Sequence, residues 1–97
     1  MLVQKLTTGD GVSIHMFELK SGGGRDMLML HGVCRAGRTF SSFAAMLPDH
    51  LRISAIDFRG HGQSGRADKR YHVTDYAHDA VAALKAIGRP TIVYGHS

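Results

Sequence analysis

The sequence predicts an α/β domain: a mostly parallel sheet, opened by an antiparallel hairpin and covered by two crossover helices. Three observations carry this reading. Short apolar runs recur at 27–30, 53–56 and 91–94. Segments with helical apolar spacing separate them, and glycine-containing stretches follow each run where loops are required. Alternation of this kind implies parallel strands joined by right-handed crossovers, with helices on the sheet faces.

The elements follow in order. Residues 2–6 and 12–19 suit strands, and Gly9, Asp10 and Gly11 between them supply the permissive backbone of a tight turn, so a hairpin is expected. Ser21 to Gly24 breaks regular structure. Met27, Leu28, Met29 and Leu30 then read as a strand buried on both faces. Phe40, Phe43 and Leu47 recur at spacings of three and four before Pro48, which fits a short helix. The run 53–56 gives the next strand, and Gly60, Gly62 and Gly65 mark a loop after it. The strongest helical signal places Ala77, Ala80, Val81, Leu84 and Ile87 on one stripe, with Asp75 and Asp79 at the positive end and Gly88 as the stop. Pro90 restarts the chain, and Thr91, Ile92, Val93 and Tyr94 form a last strand running into Gly95, His96 and Ser97.

Length and composition set bounds on function. At 97 residues the chain holds one domain with one core. A 43% hydrophobic and 21% charged composition is that of a globular chain, not of a disordered one. No apolar run approaches the roughly 20 residues of a membrane span, and residues 1–6 lack the apolar centre of a secretory signal, so no membrane association is expected and a cytoplasmic location is the default. The single cysteine, Cys34, rules out an internal disulfide. The formal charge of +4 gathers partly at Arg66, Lys69 and Arg70 and at Arg35 and Arg38, but acidic residues are interspersed and no nucleic-acid motif is present. These cations are read as solvated loops, with no nucleic-acid partner.

In open sheets of this class, reactive groups gather outside the carboxyl ends of the strands. Three segments end there: His31 with Gly32, Asp57 with Arg59, and Gly95 with Ser97. Together they resemble the α/β-hydrolase fold family. Leu30, His31, Gly32 and Val33 are similar to the family's oxyanion loop. The run Asp57, Phe58, Arg59, Gly60, His61, Gly62, Gln63, Ser64 is similar to its loop after the fourth strand. Gly95, His96 and Ser97 are similar to the first half of its nucleophile elbow. The resemblance spans essentially the whole chain and implies a partial α/β-hydrolase fold, the amino-terminal part of the core, ending at the nucleophile.

A strand turning sharply into a helix strains the backbone and demands little bulk beside the nucleophile, which Gly95 satisfies. The resemblance makes Ser97 the catalytic alcohol and the amide of Val33 one of two oxyanion donors, the other belonging to the residue after Ser97. Gly32 and His96 would line the substrate site. The resemblance also implies that His31 and His61 shape loops, and that Asp57 and Arg59 hold the glycine-rich loop through hydrogen bonds and an ion pair. Cys34 reads as a small apolar residue packed inside. His15, His50, His72 and His78 read as surface or turn residues, and neither a metal nor a cofactor is expected.

The triad acid and histidine of this family follow the nucleophile, so the chain alone is expected to be inactive. The intact protein is expected to cleave a small acyl substrate. A non-catalytic binding module of the same fold, or an interaction protein completed by a partner, are the alternatives. The last strand should leave an open sheet edge that invites a complementing chain or self-association.

Overall fold

A computed structural model describes residues 3–32, 36–66 and 71–96. The hairpin forms from β1, Val3–Thr7, and β2, Ser13–Ser21. Its turn closes as the residue types require: Gly11 takes φ +84°, and its amide donates to the Thr8 carbonyl at 2.9 Å. Three further strands follow: β3, Arg25–Leu30; β4, Leu51–Asp57; and β5, Thr91–Gly95. They lie in one five-stranded sheet of order β1-β2-β4-β3-β5. The sheet is mixed. β3 pairs in parallel with both β4 and β5, while β2 joins β1 and β4 by antiparallel pairing.

Between β3 and β4 the chain makes a 3-10 turn, Gly37–Phe40, running into α1, Ser41–Ala45. This is the expected short helix, ended before Leu47. The return from β4 to β5 uses α2, Val73–Ile87, which stops at Gly88 in the left-handed conformation at φ +70°, as glycine permits. The step from β3 to β4 and the step from β4 back across β3 to β5 run in opposite directions. With a common right hand, the two crossovers must cover opposite faces of the sheet.

The core divides accordingly. Leu28 and Ile56 pack with Ile14, Ala83 and Ile87 on the α2 face, and Met29, Ile53 and Ala55 pack with Phe17, Phe40 and Ala44 on the α1 face. β3 is thus buried on both sides, as its continuous apolar run requires.

The buried row of α2 differs from the expected stripe. Asp75, Asp79, Ala83 and Ile87 face inward, while Ala77 and Val81 are exposed. The reason is electrostatic. Asp79 is fully buried against Arg59, itself fully buried, with the guanidinium Nη2 at 2.7 Å and Nε at 3.1 Å from Oδ1. Asp75 accepts the His72 amide at 3.0 Å in a capping box. A charge inside is tolerated when its partner is inside with it.

Among the described residues, no helix is long and apolar enough to cross a membrane. β5 stands at the sheet edge with Ile92 and Val93 exposed.

Candidate active site

The order of strands reverses at β3, whose neighbours β4 and β5 are reached by crossovers on opposite faces. A crevice opens at such a switch point, outside the carboxyl ends of the strands. Here it lies beyond β3 and β5, and a cleft of about 450 Å³ occupies it, lined by Leu30, His31, Gly32, Phe58, Tyr76 and His96 among others. A second cavity of about 260 Å³ opens on the α1 side of the same two strand ends, between His31, Gly32 and His96 on one wall and Phe40, Phe43 and Tyr94 on the other. Gly32 and His96, expected to line a substrate site, are therefore brought together and shared by both cavities.

Backbone pairing fixes this juxtaposition. The register sets Leu30 opposite Gly95, and the next amide, that of His96, donates to the Leu30 carbonyl at 3.0 Å. The last turn of β5 is thereby held alongside the segment leading into Gly32. Ser97 and Val33 lie outside the described residues, as do Cys34 and Arg35.

His31 is only 6% exposed, and both of its ring nitrogens are engaged. Nε2 accepts the Phe58 amide at 2.9 Å, and Nδ1 stands 2.7 Å from the Gly32 carbonyl oxygen. An amide only donates and a carbonyl only accepts, so the ring carries its proton on Nδ1 and is neutral. Burial lowers its pKa, opposed by the Gly32 carbonyl; the nearby His61 lowers it further, and Asp57 opposes that. With neither nitrogen open, His31 has no means of taking a proton from a nucleophile, and its expected loop-shaping role stands.

Asp57 ends β4 and spends its carboxylate on backbone. Oδ1 accepts the Gly37 amide at 2.7 Å and Oδ2 accepts the Gln63 amide at 2.9 Å, tying the turn before α1 to the glycine-rich loop. Its own carbonyl accepts the Ser64 hydroxyl. Gly62 sits against this carboxylate at φ +50°, and a Cβ there would overlap Asp57 Oδ2. Gly62→Ala is expected to destabilise the protein by about 2 kcal/mol, combining left-handed strain with displacement of Asp57. Thermal unfolding checks this, and an unchanged midpoint would contradict it.

Arg59 reaches in two directions. Besides Asp79 it donates from Nη1 to Asp10 Oδ2 at 2.8 Å, so one guanidinium joins the hairpin turn, the loop after β4 and α2. Its hydrogen bond holds the Asp10 carboxyl far below the usual carboxylate range, and Asp79 raises the pKa of Arg59 in turn. Both loop residues, Asp57 and Arg59, do the structural work expected of them.

Aromatic rings finish the larger cleft. Phe58 meets His31 edge-on with centroids 5.0 Å apart and Tyr76 at 5.4 Å, and His61 packs 5.0 Å from His31. On the α1 side, Tyr94 meets Phe40 at 5.9 Å and Phe43 at 5.6 Å. The sequence reading did not place Phe58 and Tyr76 in the site. Their signal was position: one directly follows Asp57, the other sits in the first turn of a helix that begins at the same edge.

The other histidines divide. His50 and His72 are exposed in a turn and at the amino end of α2, and His78 is exposed on that helix. His15, expected at the surface or in a turn, is instead half-buried within β2, its amide donating to the Ser64 hydroxyl at 2.8 Å. Arg38 is exposed, as is Arg66, which donates to the Gly60 carbonyl. Among the described residues, no group of three or more His, Cys, Asp or Glu is placed to hold a metal ion.

Known proteins share this fold. The chain is 33% identical over 79 residues to 2-(acetamidomethylene)succinate hydrolase of Mesorhizobium japonicum, which covers 80% of this chain and 28% of that protein. It is 32% identical over 84 residues to the pimeloyl-acyl-carrier protein methyl ester esterase of Methylococcus capsulatus, covering 84% of this chain and 31% of the esterase. Among solved structures, a bottromycin epimerase in complex with bottromycin A2 superposes with a TM-score of 0.89 at 30% identity, over 98% of this chain and 39% of that one. The chain thus spans about a third of the length of these relatives. Residues 27–97, from β3 through the last strand, match the profile of the alpha/beta hydrolase family, and with the switch-point cleft between β3 and β5 they show that this chain belongs to it.

Proposed function

We propose that this chain is the amino-terminal part of a serine hydrolase that cleaves an ester, thioester or related acyl bond through an acyl-enzyme. The observation that supports the reading is the hydrogen bond from the His96 amide to the Leu30 carbonyl, which holds His96 beside the strand end that leads into Gly32. In this reading the Ser97 hydroxyl attacks the acyl carbon as a histidine takes its proton. The carbonyl electrons collect on oxygen, facing the amides of Val33 and of the residue following Ser97. Collapse expels the leaving group with the histidine's proton, and water then releases the acid by the same steps in reverse order.

In this reading the triad histidine and acid come from the remainder of the polypeptide, and His31, which lines the cleft, already uses both ring nitrogens. On this reading the chain alone is expected not to turn over substrate. A fluorophosphonate probe is expected to label the full-length protein at Ser97 and to leave this 97-residue chain unlabelled. Labelling on another residue, or of the chain alone, would overturn the reading.

The likeness to an epimerase favours one second reading, a member of the fold whose cleft binds without hydrolysing. It predicts no labelling at all.

The outer edge of β5 is proposed to pair with a strand from the remainder of the polypeptide or from a complementing chain. With that edge open and Ile92 and Val93 exposed, the chain in isolation self-associates. Size-exclusion chromatography is expected to show species larger than a monomer, and a stable, cooperatively unfolding monomer would contradict this.

A further inference from the structure

We propose that the substrate is an uncharged ester or related acyl compound carrying an aromatic ring, and that Phe40, Phe43 and Tyr94 hold that ring in the α1-side cavity; the proposal rests on the hydrolase reading above.

Of the two cavities at the strand ends, topology leaves this one to the substrate. Where the strand paired outside β5 belongs to the remainder of the polypeptide, the step to it repeats the direction of the step from β4 to β5. With the same right hand, the connection crosses the α2 face. The larger cleft opens on that face, where Phe58 packs with the α2-side core, so the connection runs over it. The smaller cavity, on the opposite face, is not in its path.

Three elements build the wall of this cavity. Phe40 ends the 3-10 turn and is 7% exposed, Phe43 lies in α1, and Tyr94 pairs with Met29 across β5 and β3. The Tyr94 ring meets Phe40 edge-on and Phe43 at a tilt, with centroids 5.9 and 5.6 Å away. Phe40 and Tyr94 also pack into the α1-side core, so the wall is formed before anything binds. The volume of about 260 Å³ falls just below the roughly 300–1,000 Å³ of sites for drug-sized ligands. It suits one ring or a short chain. A ring gains more, because aromatic pairs in edge-to-face or offset contact are stabilised beyond the area they bury.

The same lining excludes charge. Among the described residues, no Lys, Arg, Asp or Glu borders either cavity. Arg38 precedes Thr39 in the turn but lines a separate cavity beside Asp57. His31 is neutral, its nitrogens spent on the Phe58 amide and the Gly32 carbonyl. His96 is exposed, where water screens whatever charge it carries. A carboxylate in this cavity would lose hydration with no buried partner to offset the loss.

Ester hydrolysis by the full-length protein tests both halves. Methyl phenylacetate and benzyl acetate are isomers that carry the ring on the acyl part and on the alcohol part. At least one is expected to exceed methyl acetate about 100-fold in kcat/KM, since even one methylene is worth about 10- to 200-fold in an apolar pocket. If neither exceeded it by about 5-fold, the proposal would be overturned. Monomethyl succinate is expected to be cleaved about 100-fold less efficiently than dimethyl succinate, and values within about 5-fold of each other would overturn it equally. Phe43→Ala locates the ring, and because Phe43 is 42% exposed its truncation spares the core. The advantage of the ring-bearing ester over methyl acetate is expected to shrink by about 10-fold or more, and an unchanged advantage would contradict the assignment. Fluorophosphonate labelling at Ser97 without cleavage of either ring-bearing ester would overturn this proposal alone. Absence of labelling would instead overturn the hydrolase reading, and this proposal with it.

Discussion

Ser97→Ala in the full-length protein is expected to lower kcat by about 10⁴- to 10⁶-fold while leaving KM within a few-fold of the original. The size of the effect follows from covalent catalysis. Without the hydroxyl there is no acyl-enzyme, and only binding and oxyanion stabilisation remain to help water attack directly. The small effect on KM follows from the architecture. His31 lines both cavities, with Phe58 and Tyr76 in the larger and Phe40, Phe43 and Tyr94 in the smaller, and none of them depends on the nucleophile for its position. Steady-state kinetics on an ester substrate checks this. A variant retaining more than a hundredth of the rate would mean that another group carries the reaction.

Asp79→Ala is expected to destabilise the fold by about 3–5 kcal/mol, because it strands the Arg59 guanidinium with no exposed surface and one partner fewer. Total domain stability is commonly about 5–15 kcal/mol, so the loss threatens folding itself. The paired replacement Arg59→Met with Asp79→Leu removes both charges together, and is expected to recover most of the loss. Chemical denaturation of the full-length variants measures both. If Asp79→Ala cost less than about 1 kcal/mol, the salt bridge would be an ornament and the loop after β4 would owe its shape to Asp57 alone.

The sequence made the strands legible because their burial is apolar. The run 27–30 and the run 53–56 sit within the observed β3 and β4, and the alternation of Leu28 with Met29 across two core clusters is what an unbroken apolar strand requires. The existence and stop of α2 were legible, and Gly88 adopts the conformation glycine is used for. Its buried face was legible only in part: Leu84 and Ile87 pack inward as expected, but Ala77 and Val81 do not. Hydrophobic periodicity ranked Ala77 and Val81 as inward, whereas Asp79 takes the inward position because Arg59, 20 residues earlier, is waiting there. No periodicity reports a partner that distant, and Asp10, on the hairpin turn 49 residues before Arg59, is more distant still.

The site was legible as a place rather than as a geometry. The strand-end rule placed Gly32 and His96 at one edge, and the structure brings them to one cleft. That His31 is committed at both nitrogens, and so is no base, depends on the Phe58 amide from β4 reaching its ring. The family's residue pattern marks His31 as structural, but only the coordinates give the reason.

The proposed reaction requires the Ser97 hydroxyl to act beside the peptide group that begins at Gly32. A crystal structure of the full-length protein carrying a phosphonate adduct tests it most directly. The account predicts phosphorus bonded to Ser97 Oγ, with a phosphoryl oxygen about 2.7–3.1 Å from the amide of residue 33. An adduct on any other side chain, or a Ser97 adduct whose phosphoryl oxygen faces away from the Gly32 peptide, would contradict it.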